Sequence, residues 1–425
     1  MRDAEIAVPG GMHVPVPISA FRTDRTAASK KRRQIRREAR FGSIRGHAGL
    51  PVRQESVMPK MGLILQGGGA LGAYEYGAVQ RLIELGWQPV AVSGVSIGAT
   101  TAAVIAGARG GDIGASLKRL WDAITLKPIP FWPAERQATF SMFGNPAFWR
   151  TRNDYFNIHQ WTSLCDVSPM RDTLATICDF ERLNDASRMR VAVTATNVMT
   201  GDQVTFSNHV PNSDTANFVT PKSTRTTLTP DHILASGSLP PAFPMTFIDG
   251  IAYWDGGLFD NTPVESLLEM LDETEIEHLP LFVVDLFATH AALPTNLAEV
   301  NERMTEISYE SRFLVHHADA DGSLAPFTSM LEAIERDLPR DSSVRATEPF
   351  HQLFRLRALK NLRVIQADHA PMSGCMDFSV HGVESRHKRG YEAVDKFFAQ
   401  QNVDRPPVAS EVASTRRRET KAMRN

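Results

Sequence analysis

The stretch Met61–Arg109, MGLILQGGGALGAYEYGAVQRLIELGWQPVAVSGVSIGATTAAVIAGAR, holds two strand-to-helix junctions, and the rest of the chain is read outward from them. Met61–Leu65 is an apolar run of the length of a buried strand. Gly67, Gly68 and Gly69 follow. Leu71, Tyr74, Ala78, Leu82 and Leu85 then recur near helical spacing, and Gly86 is suited to end that helix. A second short strand, Val90–Ser93, runs into Gly94-Val95-Ser96-Ile97-Gly98 and a helix of small residues.

G-x-S-x-G between a strand and a helix is a nucleophile elbow: Gly94 and Gly98 let the backbone turn sharply and lift the Ser96 hydroxyl clear of the sheet. The helix N-terminus beneath it favours developing negative charge. An ordinary tight turn is the plainer alternative. The first junction carries two functional readings. Gly67-x-Gly69-x-x-Gly72 matches the dinucleotide-binding fingerprint, which also needs an acidic residue at the end of the second strand. Here that strand ends in Ser93 and Gly94. The other reading is an oxyanion hole built from backbone N–H groups of the glycine loop, and the neighbouring elbow favours it.

The chain has 425 residues, with 42% hydrophobic and 22% charged residues. That is ordinary for a globular α/β protein and long enough for one large domain with extensions. The formal charge of −2 conceals an asymmetry: residues 1–60 hold 13 Lys/Arg and 5 Asp/Glu, leaving 33 against 43 for the remainder. Residues 1–57 are rich in Pro, Gly and Arg without an apolar period, which predicts a disordered basic arm. Its centre, Lys30, Lys31, Arg32, Arg33, Arg36 and Arg37, suits peripheral contact with an anionic membrane; the blander reading is a solvated tail. No nucleic-acid partner is expected. Three dispersed cysteines, Cys165, Cys178 and Cys375, offer neither a disulfide framework nor a metal motif, and with no signal peptide visible they fit a cytoplasmic setting. Leu85–Ala108 lacks any charge, but Pro89, its glycines and the elbow make it strand-turn-helix rather than a membrane span.

Beyond the elbow, residues 112–185 read as mainly helical, broken by the aromatic patches Pro128–Trp132 and Phe140–Trp149, which could line an acyl groove or form a lid. Met189–Asn197 and Gln203–Phe206 read as a hairpin, and Pro211–Pro230 as a polar loop. In HILASGSLPPAFPMTFIDGIAYWDGGLFDNTPVESLLEML, Phe247–Trp254 is a hairpin with an Asp249-Gly250 turn. Asp255-Gly256-Gly257 follows its second strand, where the glycines leave the carboxylate uncovered. Val264–Leu271 is helical, Leu281–Phe287 a buried strand, and Asn361–Ala367 a late strand. Helices are expected at Glu299–His317, Thr328–Arg336 and Arg386–Ala399.

Ser96 needs a base. Among the histidines, His232 precedes Asp255 and His316-His317 fall on a helix, and none sits in a convincing motif. Asp255 is the better candidate, with a turn aspartate as its plain alternative; partial burial would strengthen it as a base.

Four blocks in order together resemble the patatin-like phospholipase family: the Gly67–Gly72 loop, the Gly94–Gly98 elbow, Ala235-Ser236-Gly237-Ser238-Leu239-Pro240-Pro241-Ala242-Phe243, and Asp255-Gly256-Gly257. The resemblance covers roughly residues 60–290. It implies a three-layer α/β sandwich with a mainly parallel central sheet, a Ser96–Asp255 dyad without histidine, and an oxyanion hole at Gly67, Gly68 and Gly69. Gly72, Gly94, Gly98, Gly256 and Gly257 would support these motifs. The implied reaction is hydrolysis of carboxylic esters of lipids through an acyl-enzyme, with no metal and no cofactor. Many relatives carry a basic residue just after the third loop glycine, where Ala70-Leu71 stand here. The resemblance divides the chain into an arm (1–57), a catalytic domain (58–290), a mainly helical C-terminal α/β extension packed on the core (291–400) and a basic tail (401–425). The alternatives are an esterase for another hydrophobic ester, such as a storage polyester, and a dinucleotide-binding protein.

Overall fold

The computed structural model describes residues 58–133, 137, 143–209, 223–287, 293–309, 324–367 and 374–400, all within the compact unit Val57–Asn425. The basic arm and tail, His316-His317 and most of the polar loop at 211–230 lie outside these residues.

The first strands of the central sheet are β1 (Lys60–Leu65) and β2 (Gln88–Val95). A separate small sheet holds β3 (Gly144–Asn145), β4 (Trp149–Thr151) and β5 (Cys165–Asp166). The central sheet resumes with β6 (Arg190–Asn197), β7 (Gln203–Ser207), β8 (Ser223–Arg225), β9 (Thr246–Ile248), β10 (Ile251–Asp255), β11 (Leu281–Asp285) and β12 (Leu362–Gln366). Its spatial order is β12-β11-β1-β2-β6-β10-β9, with β7 on β6 and β8 on β7. β12, β11, β1, β2 and β6 run parallel, and β7, β10 and β9 pair antiparallel. A parallel sheet must be covered on both faces. Alternation along the strands shows that cover. Leu63, Leu65, Val92 and Val193 enter one core, while Ile64, Ala91, Ala192 and Val283 enter the other.

On the first face lie α1 (Gly72–Glu84), α2 (Ile97–Ala106), α3 (Ile113–Ile124) and α4 (Ser168–Ile177), followed in the chain by α5 (Phe180–Leu183) and α6 (Pro230–Ser236). The opposite face is covered by α7 (Val264–Leu268), α8 (Glu273–His278) and Ala358-Leu359. The three-layer sandwich is complete. α9 (Leu297–Tyr309), α10 (Leu324–Asp337) and α11 (Glu348–Arg355) precede β12, and α12 (Val380–Gln400) packs along α1. Thus segments far beyond residue 290 supply one strand of the central sheet and one helix of the first layer.

Local sequence accounts for these elements. α1 stops where Gly86 adopts φ 90°, with Gly86 N–H donating to the Ile83 carbonyl and Trp87 N–H to the Leu82 carbonyl. That is a Schellman cap, and buried Trp87 and Leu82 supply its apolar contact. α2 is buried on every side, which its small residues permit. The α1–α12 crossing depends on two glycines. A Cβ on Gly77 would stand 1.9 Å from the His387 carbonyl oxygen, and one on Gly390 1.9 Å from that of Tyr74. The uncharged run Leu85–Ala108 is β2, the elbow and α2, and no described helix is long and apolar enough to cross a membrane.

One expectation is corrected. Between α3 and α4 the break expected at Phe140–Trp149 continues into the antiparallel sheet β3–β5, where helix was expected to resume after Trp149. Phe148 and Trp149 are drawn inward, with ring centroids 5.7 and 6.0 Å from Phe243 and 5.4 Å each from Phe378. The burial of this aromatic cluster holds the small sheet against the core.

Candidate active site

Ser96 and Asp255 reach one place through the register of β6. Val95, the last residue of β2, pairs with Thr194 of β6, and Asp255, the last residue of β10, pairs with the next residue, Ala195. The antiparallel strand therefore takes over the edge of β6 where the parallel strand leaves it. Ser96 turns out of the sheet with φ 55° and ψ −121°, a strained conformation for a residue with a side chain. A Cβ on Gly94 would lie 2.4 Å from the Gly98 carbonyl oxygen, so the elbow admits no side chain there.

The segment Ala235–Ser238 brackets both residues. Ser96 N–H donates to Ser236 Oγ at 3.0 Å and to its carbonyl at 3.1 Å, while Asp255 N–H donates to the Ser238 carbonyl at 3.0 Å. The Asp255 carboxylate accepts Gly257 N–H at 2.8 Å and lies beside the Ser96 hydroxyl, which favours its charged form. Asp255 is 3% exposed. Burial pushes its carboxyl up to about 6, and the Gly257 N–H and the Ser96 hydroxyl oppose the rise.

The glycine loop lies across the same cleft, which is lined by Gly67, Gly68, Gly69, Ser96 and Asp255. Gly69 has φ 57°, and a Cβ there would stand 2.3 Å from the Cys375 carbonyl oxygen. That carbonyl accepts Ala70 N–H at 2.7 Å, so the loop is tied down by a segment distant in sequence. Gly67 N–H is engaged by Asn261 Oδ1 at 3.1 Å. The rest of the cleft is apolar, with Phe148, Val167, Met170, Leu239, Phe243 and Phe378 in its walls, and its cavity volume is about 100 Å³. The arrangement can place an apolar chain beside a hydroxyl paired with a buried carboxylate.

His232 stands elsewhere. Its Nδ1 meets Thr229 Oγ1 at 2.8 Å and accepts Thr229 N–H at 3.2 Å, capping its own helix, and its ring packs edge-on against Phe206 at 4.8 Å. Burial holds its pKa below the usual histidine range. Among the described residues no histidine lines the cleft, and no group of three His, Cys, Asp or Glu is placed to hold a metal.

The model of the family described as "Patatin-like phospholipase" matches residues 63–268. Residues 63–268 form a patatin-like phospholipase domain. By class this patatin-like domain is that of a lipid ester hydrolase. Solved structures similar to the chain include VipD from Legionella pneumophila, at 17% identity and a TM-score of 0.33, over 79% of this chain and 67% of that one. Human GIVD cytosolic phospholipase A2, solved with methyl gamma-linolenyl fluorophosphonate, aligns at 13% identity and a TM-score of 0.27, over 80% of this chain and 60% of that one. ExoU from Pseudomonas aeruginosa, solved with SpcU, aligns at 14% identity and a TM-score of 0.24, over 87% and 79%. These are distant likenesses, and the chain spans well short of the full length of each. No curated protein matches.

Several residues around the patatin-like site had no role in the sequence reading. Asn261 binds the glycine loop at Gly67, the side chain of Gln66 just before the loop binds Thr262, Glu75 accepts Gln66 N–H, and Tyr309, Cys375 and Met376 reach the cleft from beyond the matched stretch. The only local signal was the position of Asn261-Thr262-Pro263 just after Asp255-Gly256-Gly257. Gln66 and Glu75 stand nine positions apart, whereas the contacts of Gly67 with Asn261 and of Gln66 with Thr262 span 194 and 196 positions.

Proposed function

We propose that this protein hydrolyses carboxylic esters of lipids with Ser96 as nucleophile and Asp255 as its base. The observation that carries the reading is the placing of Ser96 beside the buried Asp255 carboxylate inside an apolar cleft. Ser96 Oγ attacks the acyl carbonyl carbon and its proton passes to Asp255. A carboxyl near 6 is a far better base at neutral pH than an ordinary aspartate. The oxyanion is held by Gly68 and Gly69 N–H, for which no acceptor is seen among the described residues, and by the N-terminus of α2. The ester C–O bond then breaks, the leaving alkoxide takes the proton from Asp255, and Ser96 carries the acyl group. Water attacks the acyl-enzyme, gives a proton through Asp255 to Ser96, and frees the fatty acid. Residues 1–57 bring the enzyme to anionic membranes from the cytoplasm through Lys30, Lys31, Arg32, Arg33, Arg36 and Arg37. That part falls if deleting residues 1–57 leaves vesicle binding unchanged.

Covalent labelling by a fluorophosphonate tests the chemistry without the natural substrate. Ser96→Ala should abolish labelling, Asp255→Asn should reduce it strongly, and His232→Gln should leave it unchanged. Labelling that survives Asp255→Asn would return the base to another residue. Turnover of phospholipid micelles set against short-chain esters and a polyester then assigns the substrate class.

A further inference from the structure

We infer that Asn261 is a positioning residue that sets the oxyanion loop against Ser96; the inference rests on the hydrolase reading above. Its carboxamide grips both sides of one residue. Oδ1 accepts Gly67 N–H at 3.1 Å, and Nδ2 donates to the Gly67 carbonyl at 3.1 Å and to the Tyr309 carbonyl at 3.2 Å. Both amide hydrogens and the carbonyl oxygen are thus spoken for, and the residue is 6% exposed. Reversing the amide would set donor against donor at Gly67. An aspartate has the same shape but no hydrogens to give two carbonyls, and an alanine offers nothing to either group.

The neighbouring residues make the same link in the opposite direction. Gln66 Nε2 donates to Thr262 Oγ1 at 2.8 Å, and Gln66 Oε1 accepts Leu286 N–H at 2.7 Å. Positions 66–67 and 261–262 are therefore strapped together by a side chain from each. The grip is placed immediately before Gly68 and Gly69, and immediately after the turn that carries Asp255.

Steric facts place Asn261 at the meeting point of the three motifs. A Cβ on Gly67 would lie 2.5 Å from Asn261 Oδ1 and 3.0 Å from Ser96 Cβ. One on Gly257 would lie 2.9 Å from the same Oδ1 and 3.2 Å from Asp255 Oδ1. The carboxamide is wedged between the glycine loop, the elbow and the Asp-Gly-Gly turn. A donor aimed at a developing oxyanion is useful only if its position is held before the charge appears. Asn261 holds it.

The test compares wild type, Asn261→Asp, Asn261→Ala and Gly67→Ala, the last displacing the carboxamide from the opposite side. Rates of fluorophosphonate labelling at Ser96 are measured beside kcat and KM for a short-chain p-nitrophenyl ester, with thermal unfolding to quantify the folded fraction. The expected result is a fall in kcat of about 100-fold, parallel slowing of labelling, and KM within about threefold of wild type. The isosteric Asn261→Asp should not rescue the rate. Labelling at the wild-type rate in folded variants, or a loss carried by KM alone, overturns the assignment. Should both Asn261 variants fail to fold, Gly67→Ala decides it by the same criteria. A folded wild type that is not labelled at Ser96 overturns the hydrolase reading instead.

Discussion

The Asp255 carboxylate lies beside the Ser96 hydroxyl because their strands, β10 and β2, pair with adjacent residues of β6. Asp255 is thereby buried at the point where an antiparallel strand replaces a parallel one, and its carboxyl rises to about 6. Activity is expected to rise with pH through about 6, as the base loses its proton, and to be lost below it. A kcat/KM profile from pH 4.5 to 8 on a soluble ester checks this. The sign for stability is the reverse. A carboxyl raised from 3.8 to about 6 binds its proton more tightly folded than unfolded, so the fold is weakened as pH rises through about 6. Asp255→Asn should therefore be inactive yet more stable than wild type at pH 8, by on the order of 3 kcal/mol, with the difference vanishing toward pH 4.

Ser96 holds φ 55° and ψ −121°, where a Cβ costs about 1–3 kcal/mol. Glycine has no such cost, although it loses roughly 0.5–1 kcal/mol in chain entropy. Ser96→Gly is expected to unfold at a higher temperature than Ser96→Ala, the reverse of the usual order. Equal melting temperatures would mean that the elbow is unstrained.

Glu75 lies wholly inside α1, with Oε1 accepting Gln66 N–H at 2.6 Å and Oε2 meeting no partner. Burial pushes its carboxyl well above the usual range, which disfavours its charged form in the fold. Stability from this group is present at low pH and lost as pH rises through its folded pKa. Glu75→Gln keeps the acceptor and removes the titration. Its melting temperature should gain on that of wild type as pH rises, as differential scanning calorimetry would reveal.

Gly77→Ala would drive a methyl into the His387 carbonyl. Ordinary overpacking costs about 1–3 kcal/mol, and here the obstacle is backbone, so a loss of more than about 3 kcal/mol is expected in denaturant unfolding. A near-neutral result would mean that α1 and α12 separate without penalty.

Local order was legible along the chain. The run Met61–Leu65, the elbow, the Asp249-Gly250 hairpin and the Gly86 stop each obey rules acting within a few residues, and each stands where the pattern placed it. The stretch after Trp149 did not, because Arg150 and Thr151 pair with Asp166 and Cys165 across the intervening chain rather than with their neighbours.

By itself, then, the sequence determined the strand-to-helix junctions, the covered parallel sheet and the identity of the candidate nucleophile and base, since backbone geometry and hydrophobic period are local properties. Tertiary structure alone decided that β6 would bring Ser96 and Asp255 into one cleft, that His232 would cap its own helix, and that Asn261 and the Cys375 carbonyl would hold the glycine loop. These depend on strand register and on contacts between distant segments. They take their energy from burial, which exists only once the layers have closed.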